Sequence, residues 1–324
     1  MKIPDLLELA IEKKVSEYNI KELKESALNL SKRYMESKRT GETLLKTNLD
    51  TVSYSVIRMP ATYSAIRTCL EKIKEVYDFD IKSVLDIGSG TGAAEWAVVD
   101  VFDNVNEITC LEREKGMREI SKNYFSYSDE LKNVKFIEAD ILKDDLNEGK
   151  KDLCVLSYII NELDENDRLK VIEKAIDAAN KVLLVVEPGT PEGFNNVKII
   201  RDYLYGKGYK IIAPCTGFMG RCDIPENDWC ASSVRVQRTK THKYLKDAEI
   251  GFEDEKFSYI AICKENVDFN LNDNVRRILR HPKIENGRVI VKTCLKGEIK
   301  EEIITKKNKD EFKLLKKKNV GDMF

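Results

Sequence analysis

Short apolar runs alternate with amphipathic segments from about residue 81 onward, whereas the residues before it repeat at helical spacing. Apolar positions three and four residues apart predict helices over residues 1–50, with polar faces rich in Lys and Glu. The later apolar runs predict strands separated by helices. Such alternation favours parallel pairing through right-handed crossovers, so we expect an α/β fold with a Rossmann-like sheet. The predicted strands are 84–87, 107–112, 134–137, 153–158 and 182–186.

Further strands are expected after these five. Alternating segments at 233–239 and 257–263 predict an antiparallel pair at one edge of the sheet, joined by the acidic linker 253–255. From about residue 275, two runs at 288–294 and 298–305 flank a Lys-Gly turn. They predict a small β-rich tail, typical of the barrels that bind oligonucleotides.

A helix is expected to begin at Pro60, since proline is favoured at the first helical position.

These patterns also divide the chain into three predicted regions. The regions are an N-terminal helical region (1–50), a sheet domain (51–270) with a cysteine-rich loop (213–232), and a small β-rich C-terminal domain (271–324).

The first strand runs into Asp86 and three alternating glycines, Gly88, Gly90 and Gly92, and helix-forming residues follow at once. Glycines in such a turn let a ligand approach the backbone, and the helix N-terminus favours an anionic group. Dinucleotide folds use a G-x-G-x-x-G/A motif, which Ala93 would complete, so a nicotinamide-dependent oxidoreductase stays open. The aspartate and the G-x-G-x-G spacing resemble the first motif of class I S-adenosylmethionine-dependent methyltransferases. That resemblance implies a loop that holds the methionine part of the cofactor.

Polar residues also end the other predicted strands. Glu112 ends the second strand, 24 residues after Gly88, where an acid hydrogen-bonds ribose hydroxyls in this class of fold. Asp140 follows the third strand and is placed to accept from the adenine amino group, and Ser157 and Glu187 end the fourth and fifth. Because parallel strands end at one edge of a sheet, we expect one cofactor site there. Its predicted residues are Asp86, Gly88, Gly90, Gly92, Glu112, Asp140 and Ser157.

The catalytic residue stays unassigned. Residues 157–163 lack the Asn/Asp-Pro-Pro-aromatic motif that amino-methyltransferases often carry, and they contain no cysteine and no obvious general base. Arg58 and Tyr63 lie just before the sheet and are candidates to line the cofactor mouth, although an ion pair between Arg58 and an acid explains that arginine equally well.

Charge constrains the partners. A net charge of −1 over 324 residues means that contact with nucleic acid must come from local basic patches. No run reaches membrane-spanning length and no secretory segment is present at the N-terminus, so we expect a cytoplasmic protein with no membrane contact. The basic residues are Lys32, Arg33, Lys38 and Arg39 near the start, and Arg276, Arg277, Arg280, Lys306, Lys307, Lys309, Lys313 and 316–318 near the end. A solvated surface is the alternative explanation for both groups.

Three of the eight cysteines, Cys215, Cys222 and Cys230, fall within one loop, and Cys294 follows in the tail. The C-x₂-C pairs of zinc ribbons are absent, yet four thiolates suit zinc or an iron–sulfur cluster; three incidental thiols are the alternative. A shared metal would clamp the tail onto the sheet domain. The remaining cysteines lie in apolar patterns and are expected in the core: Cys69, Cys110, Cys154 and Cys263.

With these pieces in order, the chain resembles the methyltransferase-like assembly factors of the mitochondrial small ribosomal subunit and their bacterial relatives. The resemblance implies a class I methyltransferase fold, S-adenosylmethionine as cofactor, a [4Fe–4S] cluster on the four cysteines with zinc as the alternative, and association with small-subunit ribosomal RNA. Relatives often carry Cys-Pro-His near the first cysteine and Cys-His after the tryptophan. Here Thr216 follows Cys215 and Ala231 follows Cys230, so the residues around the implied cluster differ. The matching segments are 58–63, 85–92, 187–194, 213–215, 229–230, 253–259, 276–279 and 321–322.

Two functions follow from this sequence. One is an RNA methyltransferase that acts on or with the small ribosomal subunit and positions the methyl sulfonium against a base atom. The other is a non-catalytic assembly factor that keeps cofactor and cluster for structure. A residue facing the sulfonium position would favour the enzyme, and a plugged pocket would favour the binder. A monomer is expected.

Overall fold

The computed structural model describes residues 1–36, 45–146, 148–215, 220–264 and 275–324. Three helices precede the sheet: α1 (Asp5–Val15), α2 (Ile20–Glu36) and α3 (Asn48–Val76). The Thr47 side chain caps α3 by accepting a hydrogen bond from the Asp50 backbone N–H at 3.1 Å. None of the helices in these ranges is long and apolar enough to cross a bilayer.

The helix predicted to begin at Pro60 instead begins at Asn48, and Pro60 lies inside it. A proline in a helix removes one backbone hydrogen bond and ordinarily ends or kinks the helix. Here Met59 and Ala61 on either side of it are 0% exposed, so packing against the sheet maintains the helix. The sequence prediction was wrong because the preference of proline for the first helical position does not indicate that the neighbouring residues are buried.

Five parallel strands form the centre of the main sheet, in the order β3-β2-β1-β4-β5. Each predicted strand is confirmed, with ends that move by up to three residues. Alternate residues of β1 enter the two apolar layers that flank the sheet: Val84 packs with α3 and α4, and Leu85 packs with α6 and α7. The strands are β1 (Ser83–Ile87), β2 (Glu107–Leu111), β3 (Lys135–Ile137), β4 (Lys151–Ser157) and β5 (Ala179–Pro188); the helices between and after them are α4 (Ala93–Val101), α5 (Lys115–Phe125), α6 (Glu165–Ala178) and α7 (Pro191–Gly206).

Three more strands extend this sheet beyond β5: β6 (Lys210–Ala213), β7 (Ser232–Gln237) and β8 (Phe252–Cys263), with helix α8 (Lys240–Leu245) before β8. Strand β8 runs antiparallel to β5, β6 and β7, so the predicted antiparallel pair is confirmed. The acidic residues predicted as a linker lie inside β8 instead, where Glu253 pairs with Val236 and Glu255 with Val234. Strand β6 was not predicted.

The C-terminal residues form a second, four-stranded antiparallel sheet. Strand β11 pairs with β12 along one edge and with β10 and β9 along the other, so this sheet is open and is not the expected barrel. Its core consists of Ile278, Val289, Val291 and Leu315. The elements are β9 (Arg277–Ile278), β10 (Lys283–Glu285), β11 (Arg288–Leu295), β12 (Glu298–Thr305) and α9 (Lys309–Leu315).

Candidate cofactor site and thiol cluster

The loop between β1 and α4 has left-handed backbone at all three glycines, with φ of +72° at Gly88, +54° at Gly90 and +84° at Gly92. Residues with a side chain rarely adopt this conformation. A Cβ added at Gly92 would lie 2.5 Å from the Phe125 ring, and one at Gly88 would lie 2.3 Å from Ile159 Cδ1. Glycine is therefore needed at Gly92 for conformation and for packing against the buried Phe125 ring. It is needed at Gly88 for the left-handed backbone, since the end of the Ile159 side chain can move, whereas Gly90 faces open space.

Glu112 stands beside this loop, as predicted, at the residue after β2. Its Oε2 accepts the Gly90 N–H at 2.9 Å and its Oε1 accepts the Glu114 N–H at 2.7 Å. Glu112 is 8% exposed, and burial raises the pKa of its carboxyl above the ordinary value. Each carboxylate oxygen has a second lone pair, so ribose hydroxyls can donate to Glu112 without breaking these bonds.

A cavity of about 330 Å³ opens above the loop at the carboxyl ends of the parallel strands. Its size lies within the range of about 300–1,000 Å³ that is usual for small-molecule sites. Five of the seven predicted cofactor residues line it: Gly88, Gly90, Glu112, Asp140 and Ser157. The lining also includes residues that were not predicted as cofactor residues, among them Tyr54, Tyr158, Asn161 and Glu162.

Asp86 lies beneath the loop rather than in the cavity lining. It is 1% exposed and faces Glu95, which is 0% exposed and accepts a hydrogen bond from Cys110 Sγ at 2.7 Å. Burial raises the pKa of both carboxyls above their ordinary values, and the charge of Glu95 raises that of Asp86 further. Sequence reasoning missed Glu95, although an acid within the apolar helix α4 is a detectable signal.

Asp140 lies at the cavity rim and shapes its own loop. Its Oδ1 accepts the Leu142 N–H at 3.0 Å and its Oδ2 accepts from Lys143 Nζ at 2.9 Å. The Lys143 contact holds the pKa of Asp140 below its ordinary value, so the carboxylate is charged and able to accept from an amino group.

Tyr158, the residue after β4, forms one wall of the cavity with a left-handed φ of 60°. Its hydroxyl donates to Glu255 Oε1 at 3.0 Å, and the Arg58 guanidinium lies 5.8 Å from its ring centroid. Arg58 also pairs with Glu255 at 3.4 Å, so the ion-pair explanation of Arg58 holds, and Arg58 does not line the cavity. Tyr63 does not line it either, because its hydroxyl donates to Asp100 at 2.5 Å.

Glu187 supports the floor of the cavity from the end of β5. It is 0% exposed, and its two oxygens accept the Ile160 N–H at 3.0 Å and the Asn161 N–H at 2.9 Å. Burial raises the pKa of this carboxyl to about 8.

The four predicted ligand cysteines lie at the junction of the two sheets. Cys230, Cys222 and Cys294 share an apolar cluster with Phe194, Ile224, Trp229 and Leu279, and Cys215 follows β6. Burial and, to a smaller extent, the neighbouring Cys215 and Cys230 raise the pKa of Cys294 to about 11. The same two neighbours act on Cys222, so Cys215 and Cys230 lie within electrostatic reach of both Cys222 and Cys294.

Four sulfur donors match the chemistry of a tetrathiolate zinc or iron–sulfur site. Across the described ranges, however, no three Cys, His, Asp or Glu side chains stand in a ready metal-binding arrangement. Thr216 lies outside the described residues. The other cysteines are in the core, as predicted, at 0–1% exposure: Cys69, Cys110, Cys154 and Cys263.

The predicted basic tail separates into two kinds of residue. Arg276 pairs with Glu302 and Glu311, Arg280 pairs with Asp228, and Arg277 is buried, so none of these arginines is a free surface cation. The lysines around α9 are exposed, and in the part of the chain that the structure describes no acid pairs with them: Lys306, Lys307, Lys309, Lys313, Lys316 and Lys317. At the other end of the chain Arg33 pairs with Asp50 at 2.8 Å, and Lys38 and Arg39 lie outside the described residues.

Residues 48–324 match the family model described as mitochondrial small ribosomal subunit Rsm22. The chain belongs to this family. A curated human relative, the mitochondrial ribosome assembly protein METTL17, is 24% identical over 173 residues, which are 51% of this chain and 38% of that protein. The chain thus spans well under half the length of that relative.

Two solved structures with similar architecture are methyltransferases. The plantazolicin methyltransferase BpumL, in complex with S-adenosylhomocysteine, is 13% identical with a TM-score of 0.41, covering 79% of this chain and 99% of its own. The magnesium protoporphyrin IX methyltransferase ChlM of Synechocystis is 8% identical with a TM-score of 0.41, covering 74% and 97%. In this chain, the strands follow the order β3-β2-β1-β4-β5-β8-β6, and β8 is antiparallel. This is the strand order of the Rossmann-like class I methyltransferase sheet, so the expected fold is confirmed.

Proposed function

We propose that this Rsm22-family protein binds S-adenosylmethionine in the cavity above the glycine loop and takes part in assembly of the small ribosomal subunit. The observation that carries the cofactor assignment is the position of Glu112, whose carboxylate meets the Gly90 N–H at the carboxyl edge of the sheet. There, ribose hydroxyls donate to Glu112, and the backbone of Gly88 and Gly90 contacts the methionine part. Asp140 accepts from the adenine amino group, and Ser157 also lines the cavity.

Titration calorimetry with S-adenosylmethionine, S-adenosylhomocysteine and NAD tests this assignment. Glu112→Ala should weaken S-adenosylmethionine binding about 10- to 100-fold, since hydrogen bonds to a charged group contribute about 1.5–3 kcal/mol. Glu119→Ala is the matched control, because Glu119 is an exposed acid on the neighbouring helix α5. Tighter binding of NAD, or equal affinity in Glu112→Ala and Glu119→Ala, would reject the assignment.

The ribosomal partner rests on family membership and on the unpaired lysines around α9. Because each phosphate contact releases counterions, affinity for small-subunit ribosomal RNA should fall steeply with salt. A cytoplasmic location and a monomeric state stay predictions of the sequence.

Methyl transfer to RNA and a purely structural role are the two forms that this function can take. The wall of the cavity after β4 does not decide between them. The Tyr158 hydroxyl donates to Glu255 and is not free to accept a proton from a methyl acceptor, whereas Asn161 and Glu162 line the open cavity. Methylation mapping of ribosomal RNA, in cells with and without the gene and with Glu112→Ala restored, distinguishes them. A methylated nucleotide that is lost both in cells without the gene and in cells with Glu112→Ala identifies an enzyme.

We further propose that Cys215, Cys222, Cys230 and Cys294 hold a [4Fe–4S] cluster, with zinc as the alternative. Their convergence at one junction and the soft sulfur donor set support it. When bound, such a centre supplies a covalent link between the cysteine loop and β11. Anaerobically purified protein should contain iron and acid-labile sulfide; stoichiometric zinc without iron would favour the alternative. Cys294→Ser should lose the metal, and the buried control Cys263→Ser should retain it.

A further inference from the structure

Arg277 is a buried cation with no carboxylate partner. It is 7% exposed, and all three of its donor groups are used. Its Nε donates to Cys230 Sγ at 3.2 Å, one terminal nitrogen donates to the Gly321 carbonyl at 2.8 Å, and the other donates to Ser232 Oγ at 2.8 Å. No acid in the described ranges forms an ion pair with it.

A guanidinium stays protonated even when buried, and a buried charge is strongly unfavourable without an anion nearby. The groups that act most strongly on Arg277 are Cys230, Tyr259 and Cys215, and the thiols of Cys69 and Cys294 also lie within its electrostatic reach. Burial raises the pKa of Tyr259 above its ordinary value, so its phenol is neutral. Cys230 Sγ, which accepts from Arg277 Nε at 3.2 Å, is therefore the contact that would carry negative charge as a metal ligand.

A second buried arginine faces the same thiols from another element. Arg201, on α7, is 3% exposed and acts on Cys215. It donates to Asp202 Oδ1 at 2.7 Å and to the Gly220 carbonyl at 2.8 Å, and the same Asp202 oxygen accepts the Cys222 N–H at 3.2 Å. Arg201 acts on Cys215 but also has the carboxylate of Asp202, whereas Arg277 forms no ion pair within the described ranges and is therefore the cation that we assign to the sulfurs.

We infer that Arg277 is the counter-ion and positioning residue of the thiol site, holding Cys230 in place and balancing the negative charge that four thiolates carry around a metal. This inference rests on the proposed metal centre and adds the residue that makes such an anionic centre tolerable in a buried place. A tetrathiolate site remains anionic with a dication bound, and reduction of a cluster adds more negative charge. A fixed cation therefore favours metal retention and raises the reduction potential.

The test compares Arg277→Met, Arg277→Lys and the control Arg288→Met in anaerobically purified full-length protein. Arg288 lies on β11 in the same sheet and forms an exposed ion pair with Glu285. Iron and sulfide content, the rate of metal loss to a chelator, and the midpoint potential are measured for each. Arg277→Met should lose metal about 10- to 100-fold faster than wild type, as for loss of other partners of metal ligands. Its potential should fall, while Arg288→Met should match wild type.

Arg277→Lys keeps the charge but cannot make the three-way contact, so its potential should stay near that of wild type while its metal loss is faster. If Arg277→Met does not fold by circular dichroism, Arg277→Lys decides, and a rate of metal loss equal to that of Arg288→Met overturns the inference. Equal rates and potentials in Arg277→Met and Arg288→Met also overturn it, and leave the metal centre intact. Wild-type protein that holds neither iron nor zinc after anaerobic reconstitution rejects the metal centre and, with it, the role of Arg277.

Discussion

Glu187 makes the folded protein bind a proton that the unfolded chain releases. Its carboxyl is fully buried at the end of β5 and accepts two backbone N–H groups from the turn that forms the cavity floor. These hydrogen bonds favour the charged form, but burial outweighs them and raises the pKa from the ordinary 4.5 to about 8. Replacing Glu187 by glutamine removes the titration and retains the shape.

The magnitude follows from linkage. Between the unfolded and folded pKa values, the folded state holds more protons, so the free energy of unfolding falls as pH rises. The slope is about 1.4 kcal/mol per pH unit, which amounts to about 5 kcal/mol over the interval between 4.5 and 8. Below the unfolded pKa, Glu187 does not lower the free energy of unfolding through its titration, and above pH 8 the full reduction is present.

Urea unfolding of wild type and Glu187→Gln, at several pH values between about 5 and 8, measures this slope. The glutamine amide places an N–H₂ group against one backbone N–H, which adds a cost that does not vary with pH. The difference in unfolding free energy should therefore shift in favour of the variant by about 1.4 kcal/mol per pH unit. Glu249→Gln, at an exposed position, should show no such trend. Parallel pH profiles for Glu187→Gln and wild type would refute the reasoning.

Two other expectations concern the glycine loop and the lysines. Gly92→Ala should destabilise the fold and abolish cofactor binding, because its Cβ would collide with Phe125. Gly90→Ala should lower the free energy of unfolding by only about 1–2 kcal/mol, the strain of a left-handed backbone. Thermal unfolding and calorimetry compare the two variants. Replacing Lys313, Lys316 and Lys317 by glutamine should reduce the slope of log affinity for ribosomal RNA against log salt by about 2–3, and an unchanged slope would mean that these lysines are only solvated surface.

The centre of the sheet was predictable because β1, β2, β4 and β5 are largely buried and read as short apolar runs between turns. The edge that carries the cavity was predictable because parallel strands end on the same side, which brings Glu112, Asp140 and Ser157 together. Strand β6 was missed because its four residues are followed directly by the cysteine loop.

The remaining site residues depend on contacts between distant parts of the chain. Tyr158 meets Glu255 across 97 residues, and Arg277 meets Cys230 across 47. Neither spacing has a local period, so no sequence pattern reports it. The barrel expectation failed likewise, because alternation predicts strands but does not determine whether a sheet closes.

The thiol site lies where the end of the chain already packs on the main sheet. The Val320 carbonyl accepts the Ser233 N–H at 3.1 Å, and a Cβ at Gly321 would lie 2.5 Å from Ser232 Oγ. A metal on the proposed thiol site would therefore add to contacts that already join the two sheets, and the clamp expected from the sequence would not act alone. Because these contacts need no metal, Cys294→Ser should keep the tail resistant to limited proteolysis, while Arg277→Met, which loses the bonds to Gly321 and Ser232, should release it. Rapid cleavage of the tail in Cys294→Ser would restore the metal as the main clamp.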